Sequence, residues 1–272
     1  MKTTRPSSPR TGRPSGFTLV EILISMTIIV LVMALTLSCY MFCLRTMYKD
    51  TQRLATNASL RAFLAQISKE TLDASVFYLF PYYTTLDATV TPATDIIVPT
   101  GPEINAANDD YDKWITHGDC LVLVTKTNTS TPTKIRQIRI YYRLTTAQAS
   151  VNADSPIWYY ETADWGEDNA AASYTNTHLF SAIATELSAI NLAANPRPTG
   201  ARQINARSRG RKVPSPYTGY ANGDLYPIFS TESPDANSSN GFVSINVEFI
   251  NGTTNSNMLS SSSFNYTISP RR

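Results

Sequence analysis

The residues with chemical potential are few and widely spaced. Glu21 is the only charged side chain from Phe17 to Leu44. A carboxylate in so apolar a run costs about 2.5–3.5 kcal/mol at a bilayer centre, less near its surface, and such groups usually face a partner. Asn108, Asp110, Asp112 and Asp119 place oxygen donors at spacings that echo a calcium loop. Lys113 stands where that loop needs its turn glycine and Asp119 where it uses Glu, so a solvated acidic turn is the simpler reading and calcium the weaker one. Arg197, Arg202, Arg207, Arg209, Arg211 and Lys212 form an acid-free stretch that could attract phosphate. No aromatic residue interleaves them to stack on bases, and a solvated loop is expected instead.

Other reactive side chains stand apart. His117 and His178 lie far from each other, and there is no P-loop, G-x-S-x-G or H-E-x-x-H pattern. No catalytic group and no cofactor are therefore expected, and the chain is read as a non-enzyme. Cys39 and Cys43 are four apart, on one face of a helix, and read as small apolar residues, with lipidation or a link to another subunit as the alternatives. Cys120 has no partner in its region, which excludes a disulfide-stapled scaffold.

The chain has 272 residues, of which 16% are charged, against about 25% in ordinary soluble domains. Its formal charge of +2 is misleading. Lys2, Arg5, Arg10 and Arg13 all fall in an opening stretch without acids, and the remainder is slightly acidic. A globally basic nucleic-acid binder is excluded on that balance.

Ile22 to Leu44 contains no charge and, as a helix, would extend about 35 Å, enough to cross a bilayer core of about 30 Å. A secretory signal has a shorter apolar run followed by a small-residue cleavage site. Here the run ends in Leu44-Arg45-Thr46-Met47, and the small residue lies in front, in Pro14-Ser15-Gly16 followed by Phe17-Thr18-Leu19-Val20-Glu21. A basic leader, Gly, Phe-Thr-Leu-Val-Glu and an apolar helix, in that order, resemble the type IV prepilin processing motif of type IV pilins and type II secretion pseudopilins.

That resemblance implies a role for each residue. Gly16 is the residue before the cut made by prepilin peptidase, and a residue without a side chain suits close approach of a protease. Phe17 becomes the mature N-terminus and is N-methylated. Glu21 is the assembly carboxylate, pairing with the terminal amine of a neighbouring subunit. Other pilins or pseudopilins are then the partners, met through the N-terminal helix. The motif places the leader in the cytoplasm and the bulk of the chain in the periplasm, anchored by one span in a bacterial inner membrane.

Beyond the membrane run, residues 45–75 contain no Pro or Gly, and Leu60, Leu64, Ile67, Thr71 and Ala74 make one apolar stripe. One helix is expected from Phe17 to Ser75. Then the pattern changes to strands at 119–126, 135–144, 157–162, 226–231, 242–250 and 263–268. Val243, Ile245, Val247 and Phe249 alternate with polar residues as in a half-buried antiparallel strand. Tyr82-Tyr83, Tyr141-Tyr142 and Tyr159-Tyr160 come in pairs, in which one ring faces the core along a strand and the other is free to face out, and most of them are expected to be packing. Residues 177–191 fit a helix or a strand, and 195–224 read as a long loop. The expected fold class is α+β, a pilin-like lollipop: leader 1–16, membrane and assembly helix 17–44, head-packed helix 45–75 and strand-rich head 76–272.

The size of the chain, the lack of Pro in the span and the lone Cys120 lean away from a major pilin. The strand ending Tyr141-Tyr142-Arg143-Leu144 resembles, loosely, the J type of minor pseudopilin. The leading expectation is thus a structural minor pseudopilin at or near the tip of a type II secretion pseudopilus. A minor pilin serving adhesion or DNA uptake is the alternative within the class, and a membrane-anchored binding or enzyme domain the alternative outside it.

Overall fold

A computed structural model describes residues 16, 18–80, 82–87, 104–105, 114–127, 134–145, 153–166, 186–210, 225, 227–233, 242–251 and 260–268. The chain divides into two compact units, Met1–Asp50 and Thr51–Arg272. The helix α1 runs Leu19–Asp73 without a Gly or Pro and contributes to both. It begins two residues later and ends two earlier than the expected 17–75. In the first unit every residue from Thr18 to Asp50 is exposed, including all the large apolar side chains from Leu19 to Leu44. This is the one helix among the described residues long and apolar enough to span a membrane. Water would not tolerate such a surface, but lipid or other helices would.

The second unit is α+β. Its strands are β1 (Val76–Phe80), β2 (Ile104–Asn105), β3 (Trp114–Gly118), β4 (Cys120–Lys126), β5 (Ile135–Arg143), β6 (Ser155–Glu161), β7 (Arg202–Arg209), β8 (Phe229–Ser233), β9 (Phe242–Asn251) and β10 (Ser260–Ile268). They pair antiparallel in the order β1-β4-β5-β6-β7-β9-β8-β3-β2, with β10 added to β9. β10 pairs along one edge of β9, while β8 and β7 share the other, meeting its first and last parts respectively.

Both faces of the central strands are covered. Leu60, Phe63, Leu64 and Ile67 of α1 pack with Leu121, Leu123, Tyr141, Tyr159, Val247 and Phe249. Tyr83, Leu86, Leu187 and Leu192 pack with Val122, Val124, Ile138, Ile140 and Tyr142 on the opposite face. The expected apolar stripe Leu60-Leu64-Ile67-Thr71-Ala74 is buried along its whole length. Tyr141 and Tyr142 are both fully buried, as packing residues are expected to be, although they are neighbours on one strand. With cover on both faces, adjacent residues of a strand each find a core.

Glu70 ties the helix to the sheet. Its carboxylate accepts from Tyr141 Oη at 2.7 Å, Tyr159 Oη at 3.2 Å and Gln66 Nε2 at 2.8 Å. Burial, followed by the nearby Glu70 carboxylate, raises the Tyr141 pKa well above the ordinary phenol range, so the hydroxyl remains a donor. Burial and the hydrogen bond to Glu161 do the same for Tyr159.

The stretch expected to be a loop, 195–224, contains β7. It lacks the apolar alternation of a strand because much of it is exposed. Its arginines take the place of apolar contacts. Arg207 pairs with Asp154, Arg209 with Glu248 at 2.7 Å, and the Arg202 guanidinium stacks 4.5 Å from the Tyr159 ring centre. Residues 211–224 lie outside the described residues. Of the ambiguous 177–191 stretch, 186–190 are helical and 177–185 lie outside the description.

Gly118 sits where the chain leaves β3 for β4. A Cβ there would lie 2.2 Å from the Phe80 carbonyl oxygen, a backbone atom that cannot swing aside. Gly118→Ala is therefore expected to lower stability by about 1–3 kcal/mol through overpacking, read as a lower denaturation midpoint of the detergent-solubilised chain. An unchanged midpoint would mean that β1 and β3 separate easily.

Candidate processing and assembly site

The helix starts at a reciprocal cap. Thr18 N–H donates to Glu21 Oε2 at 2.9 Å, the Thr18 hydroxyl donates to the same oxygen at 3.0 Å, and Glu21 N–H donates back to Thr18 Oγ1 at 3.3 Å. This is a capping box: it satisfies backbone donors that the first turn leaves unpaired. The carboxylate also sits at the positive end of the helix dipole, which stabilises it locally. Ser25 Oγ donates to the Glu21 carbonyl at 2.7 Å, closing the next turn. Glu21 is thus held at the head of an exposed apolar helix, and nothing from the rest of the described chain covers it. The Thr-x-x-Glu spacing was legible as a cap in the sequence, but the motif reading absorbed Glu21 alone.

Gly16 is exposed, and open space surrounds the position a Cβ would take. Phe17 and residues 1–15 lie outside the described residues. Ile22 and Leu44, the expected limits of the span, both lie on α1 and are exposed.

The other sequence candidates separate. Asn108, Asp110 and Asp112 lie outside the described residues. Asp119 lies between β3 and β4, fully buried, with its oxygens engaged by Arg143 Nη1 at 3.1 and 3.2 Å, Thr145 Oγ1 at 2.8 Å and the Ile228 N–H at 2.9 Å. Among the described residues no group of three or more His, Cys, Asp or Glu could hold a metal ion. His117 lies on β3, and His178 is outside the description. Cys39 and Cys43 are exposed free thiols, and Cys120 is buried. Burial, then the adjacent Asp119, pushes the Cys120 thiol pKa well up, so it is inert as a nucleophile. In the basic stretch, Arg207 and Arg209 are neutralised by carboxylates, while Arg197 stacks 5.1 Å from the Trp158 ring centre.

Residues 12–37 match the family model described as the prokaryotic N-terminal methylation motif. The match supports a type IV pilin-like chain. No curated protein and no solved structure matches it. The matched stretch contains Gly16, the capped Glu21 and the first half of the exposed run. Such a motif implies processing by prepilin peptidase and assembly with other pilins, and it belongs to a structural class of proteins rather than a catalytic one. The exposed apolar helix is consistent with membrane anchoring.

Proposed function

We propose that this chain is a minor pseudopilin of a type II secretion system, a structural subunit added at or near the filament tip. Residues 1–16 are the cytoplasmic leader, 17–44 the inner-membrane and assembly segment, 45–75 the continuing helix and 76–272 the periplasmic head. Prepilin peptidase cuts after Gly16, Phe17 is N-methylated, and Glu21 pairs with the amine of a neighbouring subunit. The observation that carries this reading is the motif at 12–37 heading an apolar helix exposed on every side.

The mechanism follows from charge and hydropathy. Four cationic side chains in the leader hold the precursor at the anionic cytoplasmic face, at about 1 kcal/mol each. Their removal frees the helix to leave lipid for contact with other helices. Glu21 supplies the directional element, because an acid in a low-dielectric bundle demands a cation at its own level.

Coexpression with prepilin peptidase tests the reading. The wild-type chain is expected to lose about 1.7 kDa, sixteen residues at roughly 110 Da each, and Gly16→Ala to be cut more slowly. A wild-type chain that stays uncut, or is cut after Leu44, contradicts the proposal. Loss of secretion on deleting the gene supports the type II assignment, and loss of pili with intact secretion would move the chain to a type IV pilus.

A further inference from the structure

We propose, resting on the membrane span inferred above, that Arg45, Tyr48 and Lys49 bind the phosphate of an anionic phospholipid where α1 leaves the bilayer after Leu44.

Helix geometry brings the three side chains together. Tyr48 and Lys49 follow Arg45 by three and four positions, the spacings that put residues on one face of a helix. α1 has no Gly or Pro here to disturb the spacing. All three residues are exposed. Asp50, the acid nearest in sequence, lies at least about 100° further round the helix and serves a different side. Among the described residues, the side chains of Arg45 and Lys49 make no ion pair or hydrogen bond. By contrast, Arg136, Arg143, Arg207 and Arg209 each meet a carboxylate of their own chain. The chain thus leaves two adjacent cations for an anion from outside.

Depth identifies that anion. Ile22 to Leu44 is free of charge and exposes all its large apolar side chains, and a modest tilt fits its length to the hydrocarbon core. Arg45 is the first residue beyond that run. Lys49 stands about 6 Å further along the axis, inside the headgroup layer of roughly 5–8 Å on each side of the core. Helical side chains lean toward the N-terminus, which here is toward the lipid, so both cations slope back onto the phosphates. The Arg45 fork suits two phosphate oxygens, and the Lys49 ammonium adds a point charge. Tyr48, 54% exposed, has the amphipathic ring that favours the same layer. Once the leader is removed, this contact holds the subunit at a fixed depth until other helices replace the lipid around it.

Native mass spectrometry of the detergent-solubilised chain, coexpressed with prepilin peptidase and mixed with equimolar phosphatidylglycerol and phosphatidylcholine, reads the site. The wild-type chain is expected to retain phosphatidylglycerol preferentially, and Arg45→Gln/Lys49→Gln to lower that preference about tenfold. Arg61→Gln/Lys69→Gln removes the same charge from exposed positions further along α1 and is expected to leave the preference unchanged. In a chain that keeps its cationic leader, the difference between the two double variants still reports the site. Equal loss in both double variants, or no loss in the first, overturns the site and leaves the span intact. Displacement of the lipid by inorganic phosphate at the same concentration also overturns it, because the anion would then be free phosphate. An unchanged preference in Arg45→Gln/Lys49→Gln with lost filament incorporation would give the cations to a neighbouring subunit instead. A chain that alkaline carbonate strips from membranes overturns the span and the site together.

Discussion

Asp119→Ala is expected to destabilise the head by about 3–5 kcal/mol, the cost of leaving a buried charge without its counter-ion. Asp119 and Arg143 are both fully buried and form an ion pair at 3.1 Å. Asp119 stands at the corner between β3 and β4 and accepts from Ile228 on the approach to β8. Arg143, at the end of β5, donates to Asp119, to the Ala153 carbonyl at 2.9 Å and to the Ser208 carbonyl of β7 at 3.3 Å. Removing the carboxylate leaves a guanidinium in the core and strips the Ile228 amide and the Thr145 hydroxyl of their acceptor. Chemical denaturation of the detergent-solubilised chain measures the loss. The double variant Asp119→Ala/Arg143→Met is expected to recover a large part of it, since an apolar pair often replaces a buried ion pair at little cost. A loss below about 1 kcal/mol for Asp119→Ala would place the pair in contact with water.

Glu21→Val is expected to leave cleavage intact and to reduce incorporation into filaments at least tenfold, equivalent to about 1.4 kcal/mol. Glu21 caps Thr18 in the structure, and the proposed assembly role adds a charge offered to a neighbour. Glu21→Gln separates them, because its amide oxygen can still accept from Thr18 N–H but carries no charge. If charge pairing dominates, Gln fails as Val does. If only Val fails, the carboxylate serves the first turn of the helix rather than assembly. Incorporation is read by the fraction of tagged chain in sheared filaments, with the cleaved pool quantified in the same cells.

The long helix and the strand-rich head were legible because each has a local signal. An uncharged run from Ile22 to Leu44 needs no partner to be recognised, and the clean alternation of Val243 to Phe249 reports one buried face directly. β7 was not legible because Arg202–Arg209 has no apolar period. Its position depends on Asp154, Glu248 and the Tyr159 ring, which only the fold brings near. That Tyr141 and Tyr142 both find cover was hidden for a related reason, since cover on both faces is a property of the assembled layers. Asp119 read as part of an acidic loop because its Arg143 partner is set by strand register and not by spacing. At the N-terminus, by contrast, the spacing of Gly16, Thr18 and Glu21 carries nearly all the information, and the structure adds the reciprocal cap.

Mass spectrometry of the N-terminal peptide of the native protein, taken from its own membranes and filaments, is the most direct measurement. A chain beginning with N-methylated Phe17 is the predicted result. Retention of residues 1–16, or a terminus created beyond Leu44, would contradict processing at Gly16 and with it the assembly role of α1.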